Sequence, residues 1–331
     1  MVSKRANNTY PDYMRALTQR SGLEYCEQYP TPTPTDGEVL VRVIQAGICA
    51  TDLQLVQGYM DFQGVLGHEF VGIVDETPHH PDLVGKRVVG EINAACRVCP
   101  ACQAGRLTHC PHRTTLGIDR RDGAFADFLA LPVENLYPLP DEITNDQAVF
   151  TEPLAAACQI LEQVSIHEAD RVLVIGDGKL GLLCAQVLHR TGCRLTVLGR
   201  HPEKLQILAD RGIHTSQDPA SLSPGFDIVV EATGTADGFK LACECVRPRG
   251  TIVLKSTYHG QTAVDMTALV IHEITVVGSR CGPFSQAIAL LRENAIDVQS
   301  LIHKRFSIEE GTDAFTHAVT KGVLKVLLEM T

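Results

Sequence analysis

No stretch of this 331-residue chain approaches the roughly 18 consecutive apolar residues that cross a bilayer, so a transmembrane helix is not expected. The opening residues, MVSKRANNTYPDY, lack the apolar stretch of a secretory leader, and the expected location is the cytoplasm. An excess of basic charge is missing as well. With a formal net charge of −10 the chain would repel phosphates, which argues against nucleic acid or an anionic membrane as a partner. No internal repeat and no low-complexity tract is present, which removes solenoids and disordered scaffolds. What is there is ordinary for a globular protein: 44% hydrophobic and 21% charged residues, enough to bury a core. The length suits two domains of roughly 100–200 residues each, and an enzyme acting on a small molecule is the leading class. Twelve cysteines in an intracellular chain are rarely disulfides, so metal ligation is the reading to test.

The first half reads as β-rich. RALT and GEVLVRVIQAG are strands separated by turn residues, and FVGIVDE, GKRVVGEI and AFADFLAL are short runs bounded by Gly, Pro or charge, as in a barrel-like domain. From about residue 152 strands and helices alternate. RVLVIGDG is a buried strand, LGLLCAQVLHRTG a helix closed by Gly192, RLTVLGR a strand and PEKLQILADRG a helix closed by Gly212. FDIVVEATG, GTIVLKST and EITVVGS supply further apolar strands. Serial βαβ units with apolar strands predict a parallel sheet covered on both faces, a doubly wound α/β fold. The tail carries an amphipathic helix in PFSQAIALLRENA, then LIHKRFSI and a helix in EEGTDAFTHAV.

Cys96, Cys99, Cys102 and Cys110 follow C-x2-C-x2-C-x7-C. Four thiolates on one short loop can close a tetrahedral shell around zinc, and a filled shell leaves no position for chemistry, so the site is expected to be structural. Iron–sulfur ligation is the competing metal reading, and core packing the bland one. Gly176-Asp177-Gly178-Lys179-Leu180-Gly181 is G-x-G-x-x-G between a strand and a helix. Its glycines permit a tight turn and close approach to a pyrophosphate at the helix N-terminus, a weak motif alone but strengthened by the surrounding βαβ unit. Cys49 and His68 each follow an apolar strand. A catalytic zinc needs about three protein ligands and an open position, so a cysteine, a histidine and a third group form the minimum set.

GICATD, GHE, the four-cysteine lobe, TEPLAAA and GDGKLG stand in the order found in zinc-dependent medium-chain dehydrogenases and span most of the chain. The sequence resembles that alcohol dehydrogenase superfamily, and its polyol, sugar and threonine dehydrogenase branches in particular, because Glu152 stands where those branches place a glutamate. The resemblance implies that Cys49 and His68 hold the catalytic zinc, with Glu69 or Glu152 and a water or substrate oxygen filling the remaining positions. It implies that Asp52 accepts the free ring N–H of His68, and that Thr51 bonds the substrate hydroxyl. Zinc lowers the pKa of a bound alcohol, and hydride passes to nicotinamide. The expected complement is two zinc ions per chain.

Two positions depart from the family pattern. Five residues after the metal cysteine many relatives carry a histidine that relays the proton, whereas this chain has Gln54, which has no useful pKa for the task. Where NAD is preferred, the second strand should end in an acid that binds the adenosine ribose. Counted from Gly176 that position is Arg200; Gly199 leaves room, and Arg200 with Lys204 suits a 2′-phosphate. NADP is therefore favoured and NAD possible, the alternative being that Arg200 stacks on adenine.

By the same resemblance the fold is α/β: a GroES-like catalytic domain of residues 1–152 and 284–331, with a zinc lobe near 94–112, and a Rossmann domain of 153–283. The active site is expected in the cleft between them. EITVVGS resembles the edge strand through which relatives pair, so a homodimer or homotetramer is expected. Residues 1–13 resemble an extension, since relatives usually begin near a segment like MRAL. The rivals are a zinc-free NADPH-dependent reductase of the same superfamily and a non-catalytic nucleotide-binding protein with structural zinc.

Overall fold

The computed structural model describes residues 10–77, 79–257 and 263–330. It divides into two compact units. The first comprises Met1–Asp141, Lys304–Val319 and Val326–Thr331, and the second Glu142–His303 with Thr320–Lys325. Among the described residues no helix is long and apolar enough to cross a membrane.

The first unit is built on antiparallel strands. Its spine is Glu38–Gly47, paired with Glu69–Glu76, with Phe128–Pro132 and with the returning strand Lys325–Glu329. The run VLVRVIQAG is buried at almost every position, as a strand covered on both faces must be. A three-stranded sheet joins Tyr13–Gln19 to Leu23–Pro30 and Gly64–Val65. Of the residues expected to form an extension, 1–9 lie outside the described residues, while Tyr10 is buried with its ring 6.0 Å from that of Phe128. The cysteine loop has a small sheet of its own, formed by Asn93–Ala94, Thr114–Leu116 and Arg120–Arg121.

The second unit is the doubly wound fold. Its six strands are all parallel and, counted along the chain from Arg171–Ile175, lie in the order 3-2-1-4-5-6. The chain reverses direction of travel between Arg171–Ile175 and Phe226–Glu231, the place where such sheets open a crevice for a dinucleotide. Helix Lys179–His189 is rich in Leu, is capped by Gly178 and stops before Gly192, whose φ of 76° few other residues adopt at low cost. Helix Pro202–Ala209 repeats the device, with Pro at its start and Gly212 at φ 77° beyond its end. The tail is shared. Helix Phe284–Arg292 packs on Thr151–Gln163 within the second unit, whereas the last strand completes the sheet of the first.

Candidate metal and dinucleotide sites

The metal site of the first unit follows from strand register. Gly47 pairs with Glu69, so the chain leaving one strand passes beside the residues that begin the other. Cys49 caps the helix Ala50–Val56, and Asp52 in its first turn accepts the Cys49 amide at 2.8 Å. Gly67 turns at φ 95° against Phe125. A Cβ there would lie 2.4 Å from the Phe125 ring, so only glycine allows His68 and Glu69 to turn inward at this point.

Together these constraints bring Cys49 Sγ, a ring nitrogen of His68 and a Glu69 carboxylate oxygen within 4.8 Å of one another. His68 and Glu69 are buried and Cys49 is half-buried. His68 Nδ1 stands 3.2 Å from Oδ1 of the wholly buried Asp52, and neither atom has a well-aligned hydrogen-bond partner. Burial disfavours the imidazolium, but the Asp52 carboxylate and the Cys49 thiol outweigh it and hold the His68 pKa well above its ordinary value. One sulfur, one nitrogen and one oxygen, convergent and with two of the three donors buried, fit the donor set that a zinc site with an open position requires. Thr51 lies beside it, its hydroxyl 3.9 Å from Cys49 Sγ, and Gln54 is half-buried on the same helix. Glu152 belongs to the second unit, in the first turn of Thr151–Gln163.

The four cysteines of the lobe also converge. Cys99 Sγ lies 3.5 Å from Cys102 Sγ and 3.7 Å from Cys110 Sγ, and Cys110 Sγ lies 3.5 Å from Cys96 Sγ. Zinc–sulfur bonds of about 2.3 Å place tetrahedral sulfurs about 3.8 Å apart, so the cage fits the ion. All twelve cysteines are free thiols. Burial disfavours the thiolate at both Cys102 and Cys110. Cys102, hydrogen-bonded to Cys99 and Cys110, is pushed up to about 12, while backbone amides of Cys96 and His112 draw Cys110 down to about 6. Four thiolates this close can be ionised together only around a cation.

In the second unit the glycine turn has the shape its motif predicts. A Cβ on Gly176 would meet the Ala232 carbonyl at 2.6 Å and one on Gly181 the Gly176 carbonyl at 2.2 Å, whereas Gly178, where the helix begins, faces open space. An opening of this kind suits a phosphate that approaches the amides of a helix N-terminus, which here carries Lys179 and Leu180. The second strand ends at Leu198, followed by Gly199 and Arg200. The room beside Gly199 is taken by the side chains of Asp177 and Leu205. Arg200 is exposed and Lys204 is buried to 7% exposure, and neither side chain has an ion pair or hydrogen bond among the described residues.

Two residues went unmarked in the sequence. Asp177 binds the turn after the second strand, an arrangement that appears only once the fold brings together residues 23 apart. Lys255 follows the strand Val246–Leu254 and donates to the Ala156 carbonyl at 2.6 Å and to Ser279 Oγ at 3.2 Å, which ties down the helix carrying Glu152. Burial pushes the Lys255 pKa down, against the pull of Cys184, Cys281 and Glu152. Only a sequence signal as weak as a lysine after an apolar strand marks it.

Comparison with known proteins agrees with both halves. Residues 35–141 match the family described as alcohol dehydrogenase GroES-like domain, and residues 180–295 that described as zinc-binding dehydrogenase. Sorbitol dehydrogenase of Halalkalibacterium halodurans is 29% identical over 95% of this chain and 99% of its own. L-threonine 3-dehydrogenase of Deinococcus deserti is 28% identical over 96% and 99%. The crystal structure of an alcohol dehydrogenase from Escherichia coli CFT073 complexed with NADH superposes with a TM-score of 0.88, at 26% identity and over 97% and 100% of the two chains.

Proposed function

Because this chain belongs to the zinc-dependent medium-chain dehydrogenases, on the side of their polyol and threonine branches, we propose that it transfers hydride between a polar alcohol and a nicotinamide dinucleotide. The convergence of Cys49, His68 and Glu69 carries this reading. When bound there, zinc supplies a Lewis acid that acidifies the substrate hydroxyl, and the nicotinamide supplies the hydride acceptor.

The chain's own residues do the rest. Cys49 and His68 hold the metal, and Asp52 orients the His68 ring. Glu69 is the oxygen donor that the geometry of its own unit supports, with Glu152 as the competing donor. Thr51 takes the hydroxyl proton of the substrate at its Oγ1 and passes it outward. Gln54 contributes a polar contact to the substrate in place of a titrating relay. Cys96, Cys99, Cys102 and Cys110 hold a second, structural zinc, giving two ions per chain.

The glycine turn Gly176–Gly181 binds the pyrophosphate, with the amides of Lys179 and Leu180 at its helix start. Arg200 and Lys204, both uncommitted, favour the 2′-phosphate of NADP, with NAD also accepted. Twelve free thiols suit a reducing cytoplasm. A homodimer, or a tetramer built from dimers, is supported by the edge strand Thr275–Gly278, paired on one side only among the described residues, and by exposed Met266, Val270 and Ile271 on the preceding helix. Turnover of a panel of polyols, sugars, threonine and simple alcohols with both cofactors tests the assignment; no oxidation of any of them by the zinc-loaded protein would contradict it.

A further inference from the structure

A dinucleotide fold that takes NAD places a carboxylate at the end of its second strand, where it accepts hydrogen bonds from the adenosine ribose. Here the residues at that end are Leu198, Gly199 and Arg200. A Cβ on Gly199 would lie 2.7 Å from both Cβ and Oδ2 of Asp177, and 2.8 Å from Leu205 Cδ2. The space in which a side chain of residue 199 would begin thus holds the carboxylate of Asp177. An acid at 199 and an acid at 177 exclude one another, and this chain carries the second.

The carboxylate is built in on one side and free on the other. Oδ2 accepts the Arg200 amide at 2.6 Å and the His201 amide at 2.7 Å, and lies 3.0 Å from His201 Nδ1. Oδ1 has no hydrogen-bond partner among the described residues, and the side chain is 11% exposed. Burial opposes its ionisation, but the two amides and the His201 ring hold its pKa below the ordinary aspartate value, so it is charged at neutral pH. Gly178, the open position of the phosphate turn, is the next residue. An ionised acceptor with a spare oxygen and the uncommitted Arg200 therefore share one strand end, with Lys204 on the helix that follows it.

We propose that Asp177 is a specificity-determining residue for the cofactor: its Oδ1 accepts the ribose hydroxyls of NAD(H) and keeps that cofactor usable where Arg200 and Lys204 favour NADP(H). This rests on the dual-cofactor reading above. The same negative charge sets a limit on how tightly a 2′-phosphate is held.

The test is calorimetric titration of the zinc-loaded full chain with NADH and with NADPH, wild type against Asp177→Asn, which keeps an acceptor for the two amides and removes the charge. NADH binding is expected to weaken by about tenfold, with NADPH binding unchanged or tighter. Equal weakening of both, or no change in either, overturns the proposal. The exchange Asp177→Gly with Gly199→Asp, which moves the acid to the strand end, is expected to restore NADH binding; a folded double variant without that recovery also overturns it. A wild type that binds NADH more tightly than NADPH refutes the cofactor preference alone, because the role of Asp177 is read from the change in ratio on substitution.

Discussion

Asp52 and His68 form a buried couple, with Oδ1 of the acid 3.2 Å from Nδ1 of the ring. The other oxygen of Asp52 accepts the amide of Cys49, so one carboxylate sets the position of two candidate metal ligands. Asp52→Asn should therefore weaken zinc binding at this site by roughly 10–100-fold, measured by competition with a chelator, while the lobe zinc stays in place. Unchanged affinity would show that Asp52 only caps the helix.

Gln54 sits where a proton relay is expected. Gln54→His should leave the zinc content unchanged and alter the pH dependence of kcat by adding a group that titrates near neutrality. A superimposable pH profile would show that protons leave by a route that does not pass this position.

The two candidate oxygen donors can be separated by substitution. Glu69→Gln should lower zinc retention at the Cys49 site and reduce kcat at least tenfold, with Glu152→Gln the weaker of the two on zinc retention. If Glu152→Gln alone strips the metal, the third ligand is Glu152.

Arg200 offers the kinetic counterpart of the cofactor reading. The wild type should use NADP(H) with the higher kcat/KM, and Arg200→Asp should lower that value at least tenfold by removing a phosphate partner and adding a like charge. A wild-type preference for NAD(H) would contradict the assignment.

Much of this was legible because short spacings encode it. Four cysteines within one loop and three glycines within six residues are local patterns, and the apolar runs of the second unit gave its strands directly. What depended on distant pairing was hidden. The nearness of Glu69 to Cys49 comes from the register of Gly47 with Glu69, and Asp177 looked like a spacer until the fold carried its carboxylate into the space beside Gly199. Gly199 was read as leaving room, and the structure fills that room with Asp177 and Leu205. The helix Phe284–Arg292 is plainly amphipathic in sequence, yet periodicity does not name the surface it covers, which is Thr151–Gln163.

If the Cys49 set and the four-cysteine lobe each hold zinc, as proposed, the metal content of the chain separates the two donor sets. Zinc per chain, counted by elemental analysis of the purified wild type, Cys49→Ala and Cys99→Ala, tests that proposal most directly. Two ions are expected in the wild type and one in each variant, with oxidation of alcohol lost in Cys49→Ala and a melting temperature lowered by roughly 10 °C or more in Cys99→Ala. A wild type with a single ion that Cys49→Ala leaves in place would contradict it.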